Sequence, residues 1–153
     1  MENTHIRKAS HADIETIAQF QAEMAMETES LTLNPAILRQ GVKAVLDDES
    51  KGTYYVFEVD NRIISSLLIT YEWSDWRNST VYWLQSVYVL KEFRRRGIFS
   101  HLYEFVKDLA VNDNGVAGIR LYVDKTNLKA QKAYENAGMN GSHYTTFEWM
   151  KRF

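Results

Sequence analysis

Cysteine is absent from the 153 residues. Its absence excludes a disulfide scaffold, a thiolate metal site and a cysteine nucleophile, and it suits a reducing cytoplasm, the expected location. Proline occurs once, so no Pro-rich linker divides the chain, which reads as a single domain over residues 1–153. No apolar run approaches the roughly 20 residues a membrane span needs, and no membrane partner is expected. The start, Met1-Glu2-Asn3-Thr4-His5, lacks the basic and apolar stretches of a signal peptide. Neither sign of charge dominates: the formal net charge is −2, which gives no general attraction to nucleic acid. His5, His11, His101 and His143 are scattered without metal-ligand spacing, so no metal is expected. Internal repeats and low-complexity tracts are also lacking.

What is present is ample core material, 45% hydrophobic residues, in a readable order. Ile6 to Ala9 suits a short strand, and Ser10 with Asp13 three residues on has the form of a capping box. Ile14, Ile17, Ala18, Met24 and Ala25 share one helical face. Glu27 to Leu33 reads as a loop, and Asn34-Pro35 as the cap and first position of a second helix. That helix has an apolar stripe of Ile37, Leu38, Val42, Val45 and Leu46. Strands are predicted at Tyr54–Val59, Ile63–Trp73 and Val81–Val89, the first two joined by an Asp60-Asn61 hairpin turn. An amphipathic helix follows from Ile98, then a strand alternating Ile119, Leu121 and Val123. A helix over Asn127–Ala137 ends at Gly138, and Tyr144–Met150 reads as a last strand. The order β-α-α-β-β-β-α-β-α-β implies an α/β fold with one mixed sheet. It is antiparallel in its first half, carries a right-handed parallel crossover from Val81 to Val123, and has helices on both faces.

The most informative stretch is Gln85-Ser86-Val87-Tyr88-Val89-Leu90-Lys91-Glu92-Phe93-Arg94-Arg95-Arg96-Gly97-Ile98-Phe99. A buried strand enters a tight basic turn and then a helix. Unpaired N–H groups at a helix start favour phosphate, Gly97 lets backbone approach closely, and arginines add forked donors. A solvated basic turn is the plain alternative. A second segment, Asn127-Leu128-Lys129-Ala130-Gln131-Lys132-Ala133-Tyr134-Glu135-Asn136-Ala137-Gly138-Met139, lies a sensible distance downstream. Together these segments resemble the GCN5-related N-acetyltransferase (GNAT) family, and the resemblance covers essentially the whole chain. Arg94 and Gly97 match the first Arg and the central Gly of its Arg/Gln-x-x-Gly-x-Gly/Ala loop, whose last position is here Phe99. The later segment matches an Asn-x-x-Ala-x-x-x-Tyr-x-x-x-Gly-Phe pattern, with Met139 in the Phe place.

The resemblance implies an N-acetyltransferase that uses acetyl-CoA, with direct attack by a primary amine in a ternary complex. By match, Val87, Tyr88 and Val89 offer backbone contacts to the pantetheine arm where two strands splay. Arg94, Arg95, Arg96, Gly97, Ile98 and Phe99 wrap the pyrophosphate, and a main-chain N–H near a bulge at Val87 faces the carbonyl oxygen. Ser100 adds a hydroxyl or simply starts the helix; Asn127 contacts the cofactor arm, caps its helix, or both. Tyr134 is the expected general acid for the thiolate leaving group, its alternative being a core aromatic. Relatives place a glutamate base near Gln85; an amide cannot take that part, and Glu72 is the expected base. Glu29, Trp73, Asp75, Trp83 and Gln85 are candidates for the acceptor side, where aromatic faces and carboxylates suit a small cationic metabolite. These residues equally suit a half-buried hairpin end. Tyr144 to Trp149 serves a homodimer contact or sheet packing. A non-catalytic acetyl-CoA sensor and a protein or peptide N-acetyltransferase are the alternative functions. A nucleic-acid partner using Arg94 to Arg96 is disfavoured by the acidic total.

Overall fold

In the computed structural model residues 3–151 are described; the readings placed on Met1, Glu2, Arg152 and Phe153 lie outside them. The chain divides into two compact units, Met1–Arg120 and Leu121–Phe153. The first holds strands β1 (Thr4–Lys8), β2 (Thr53–Val59), β3 (Arg62–Ser74), β4 (Ser79–Val89) and β5 (Val116–Arg120). It also holds helices α1 (Ile14–Glu29), α2 (Pro35–Asp47) and α3 (Ile98–Val111). The five strands form one sheet in chain order. The first four are antiparallel neighbours, and β4 and β5 are parallel, as the order of elements predicts.

Local chemistry accounts for the boundaries. Asn34 caps α2 by accepting from the N–H of Ala36 at 2.9 Å and of Ile37 at 3.3 Å, with Pro35 at the first helical position. Asp60 and Asn61 both take positive φ, 50° and 64°, the hairpin turn that matches strand twist. The Ser10 N–H donates to Asp13 at 2.7 Å, but a short 3₁₀ turn over His11–Asp13 precedes α1.

The alternation of each strand assigns the two faces. Tyr54, Val56 and Leu68 cluster with Ile17 and Ala18 of α1 and Val42 of α2. The intervening residues look the other way: the Tyr55 ring meets Phe105 of α3 at 5.1 Å, and Phe57 meets His101 at 6.2 Å. Helices therefore cover both faces, and the sheet centre is the core, with Phe57, Ile64, Leu67 and Ile69 almost wholly buried.

Four expectations are corrected. Glu27 to Leu33 is not all loop: α1 continues to Glu29 and ends where Ser30 turns left-handed at φ 51°. Ile37 leaves the apolar stripe of α2 and is exposed, one residue too far round the helix. β5 stops at Arg120, so Leu121 and Val123 lie outside the strand. Tyr144–Met150 forms no strand. Aromatic composition alone does not make one: a strand needs a ladder partner, and the second unit's one helix or strand is α4 (Leu128–Asn136) among the described residues.

Candidate active site

The site begins with an interruption. β4 pairs with β5 from Thr80 to Trp83, whose partner is Arg120, and the ladder stops there. The rest of β4, Leu84 to Val89, has no β5 partner among the described residues, so its outward N–H and C=O groups form an open edge. On the β3 side the register shifts: Leu68 faces Gln85 but Ser66 faces Tyr88, so Ser86 and Val87 together stand opposite one residue. Ser86 takes φ 52° to make this bulge. A bulge leaves a residue outside the ladder and re-aims its backbone groups, which matches the expectation placed at Val87.

At the end of the open edge the chain crosses a 3₁₀ turn at Lys91–Phe93 and enters α3. Arg95 and Gly97 are both left-handed, at φ 63° and 75°. Gly97 is the N-cap and offers no side chain, so no capping side chain takes the first N–H groups of α3. This is the backbone geometry that gathers donors toward an anion. Phe99 fits the helix start, its ring stacked on Tyr103 at 6.0 Å. Ser100 lies exposed in the first turn.

The three arginines are not equivalent. Arg94 donates from Nε to the Val89 carbonyl at 2.9 Å and from Nη2 to Glu27 at 2.8 Å, with its guanidinium 5.3 Å from the Tyr88 ring centre. Arg96 lies over Phe93 at 5.2 Å. Arg95 and Arg96 make no ion pair among the described residues.

The α1 face of the sheet gathers several other candidates. Trp83 and Gln85 lie opposite Thr70 and Leu68, on the same face as Glu72. Gln85 donates to the Thr70 hydroxyl at 2.6 Å. Glu72 accepts from the Trp83 indole at 2.7 Å with one oxygen and pairs with Arg120 through the other. Both oxygens are therefore taken, which weighs against Glu72 as a free base. Tyr88, next along this face, donates its hydroxyl to Glu23 at 2.6 Å and packs on Phe20 at 5.1 Å. That hydroxyl draws Glu23 below the ordinary carboxylate range, with Gln19 helping; burial and the Glu23 bond push Tyr88 up. Glu23, Glu27, Met26, Tyr88 and Glu92 help line a cleft of about 520 Å³. Sequence reasoning missed Glu23 and the partnering of Glu27, because nothing local links them to residues more than 60 positions away.

Other candidates are not brought to this face. Trp73 alternates to the opposite side from Glu72 and is exposed. Asp75 sits in the β3–β4 turn and accepts from the Trp76 N–H at 3.0 Å. Its strand end lies about 20 Å from Gln85 at the rise of a β-strand. Glu29 is the exposed last residue of α1 and makes no ion pair among the described residues.

The second unit holds the remaining two. Asn127 caps α4, accepting from the Ala130 N–H at 3.1 Å. Gly138 follows that helix at φ 91°. Tyr134 lies within it, and burial raises its hydroxyl above the ordinary value. No cluster of acids and histidines fit to hold a metal occurs among the described residues, and no helix there is long and apolar enough to cross a membrane.

The model of the acetyltransferase (GNAT) family matches residues 15–139. A possible acetyltransferase from Clostridium difficile 630 is 43% identical, with a TM-score of 0.92 over 99% of this chain and 100% of that one. A predicted acetyltransferase from Clostridium acetobutylicum, solved with acetyl-CoA, is 18% identical with a TM-score of 0.75, over 99% and 96% of the two chains. A ribosomal-protein-alanine N-acetyltransferase from Brucella melitensis biovar Abortus 2308 is 15% identical with a TM-score of 0.77, over 99% of each chain. The last two likenesses are of fold.

Proposed function

The chain belongs to the acetyltransferase (GNAT) family, and from that premise we propose that it transfers the acetyl group of acetyl-CoA to a primary amine of a small cationic metabolite, by direct attack in a ternary complex. One observation carries the proposal. The open edge of β4 from Leu84 to Val89, with its bulge at Ser86–Val87, leads directly to the uncapped start of α3. That arrangement supports an extended arm laid along the strand and a diphosphate at the helix.

Acetyl-CoA supplies an activated thioester. The chain's own residues do the rest. Val87, Tyr88 and Val89 offer main-chain groups along the open edge. Arg95, Arg96, Gly97, Ile98 and Phe99 turn their backbone toward the diphosphate, with Ser100 beside them in the first helical turn. An N–H released by the bulge stabilises negative charge on the carbonyl oxygen. Asn127 and Tyr134 take their roles from the motif of their own segment: contact with the arm, and proton donation to the departing sulfur. A hydroxyl raised by burial stays protonated at neutral pH, as a donor must.

Glu72 is better read as the support that orients Trp83. The amine's proton passes to water held by the Gln85 amide oxygen, since the Gln85 nitrogen is engaged by Thr70. Glu23, which lines the cleft beside α1 and accepts from the neutral donors Tyr88 and Gln19, supports a cationic acceptor. The test is thiol release from acetyl-CoA across an amine panel of polyamines, amino sugars and peptide N-termini. Turnover is expected with small cations. Turnover confined to peptides would move the acceptor to protein, and tight CoA binding without turnover on any amine would make the protein a sensor.

A further inference from the structure

We propose that Glu27 is a positioning residue for the donor loop: it holds Arg94 as a strut between α1 and the end of β4, so that Arg94 shapes the loop instead of neutralising the diphosphate. The proposal rests on the phosphate-loop reading above. Arg94 is fixed from three directions: the Val89 carbonyl, the Glu27 carboxylate and the face of Tyr88. Glu27 is itself held. Its other oxygen lies 3.5 Å from the Lys91 ammonium and 3.3 Å from the Tyr88 hydroxyl, whose proton goes to Glu23 at 2.6 Å. Four turns of α1 thus end in two carboxylates that grip the strand end and both sides of the 3₁₀ turn.

The loop needs such a grip. Arg95, immediately after Arg94, stands in the left-handed region at φ 63°, which costs a non-glycine residue about 1 kcal/mol or more. On its other side the turn is pinned by Arg62, which pairs with Glu92 at 2.7 Å and lies over Phe93 at 5.5 Å. Anchors on both flanks hold residues 94–97 in a shape they would not keep alone, and that shape aims the N–H groups.

Charge gives the experiment a sign. Were Arg94 a direct diphosphate ligand, Glu27 would be a competing anion 2.8 Å away, and Glu27→Gln would leave CoA binding equal or tighter. As a positioning residue, Glu27→Gln instead raises the Kd for CoA about threefold and Glu27→Ala about tenfold, by calorimetry. Amide hydrogen exchange at residues 94–99 speeds up in both variants, while β2 and β3 keep their protection. Unchanged or tighter CoA binding overturns the proposal, as does faster exchange spread equally through the sheet. Gly97→Val is measured alongside. If it leaves CoA binding intact, the phosphate-loop reading itself fails; if it weakens binding while the Glu27 variants do not, only the strut fails.

Discussion

Tyr134 is a candidate by its match to the family motif and Glu72 by its place at a strand end, and their surroundings separate them. Burial raises the Tyr134 hydroxyl above its ordinary value, so it stays protonated near neutral pH and able to give a proton. On the proposed mechanism, Tyr134→Phe lowers turnover about a hundredfold, the span of a lost general acid, and leaves the Kd for CoA within about twofold. Steady-state rates and calorimetry on the same preparation check it; an equal loss in both would make Tyr134 a packing residue. Glu72 resembled a base because a carboxylate at a strand end is a free carboxylate in the absence of other information. Its partners, Trp83 and Arg120, are 11 and 48 residues away, and no local pattern announces them. The same holds for Arg94, where sequence distinguishes neither its neighbour Arg95 nor its distant partner Glu27.

At the scale of elements, legibility follows how local the cause is. The start of α2 could be read because Asn34 and Pro35 act on the next three residues. The β2–β3 turn could be read for the same reason. The bulge in β4 was expected from the family resemblance alone: a run such as Leu84 to Val89 gives no local cue to a register shift. The missing last strand shows the reverse error, since the segment of Tyr144, Phe147 and Trp149 has the aromatic composition of a strand but these residues are largely exposed. One element boundary depends on a glycine. Gly52 precedes β2 at φ 148°, and a Cβ there would meet the Ile69 carbonyl oxygen at 2.7 Å and Leu68 Cδ1 at 2.9 Å. The carbonyl belongs to the β2–β3 ladder and cannot retreat cheaply. Gly52→Ala therefore destabilises by about 2–3 kcal/mol, read as a lower urea midpoint. Gly41→Ala, with nothing within 4 Å of its Cβ, is neutral or mildly stabilising in the same assay.

Across the first unit as a whole, β1 and the entry to α1 are bound to β2 through one guanidinium. Arg7 donates two bonds to Asp13, at 2.8 and 3.1 Å, and two to Glu58, at 2.7 and 3.1 Å. Asp13 is buried at 6% exposure and is held below the usual carboxylate range by Arg7 first and by the Ser10 backbone and hydroxyl next, against the opposing effect of burial. A group whose folded pKa is depressed contributes stability that is complete above its unfolded value, about 3.9 for Asp, and that disappears as pH falls through the folded value. The first unit therefore loses stability below about pH 4 as this cluster protonates. Asp13→Asn removes the charge at every pH. It costs about 2 kcal/mol at pH 7, the scale of a charged hydrogen bond, and flattens the acid limb, because the variant has nothing left to titrate at that position. Urea unfolding between pH 7 and pH 2 measures both effects. A variant with the wild-type acid slope would transfer the acid sensitivity to other depressed carboxylates, such as Glu23 beneath Tyr88.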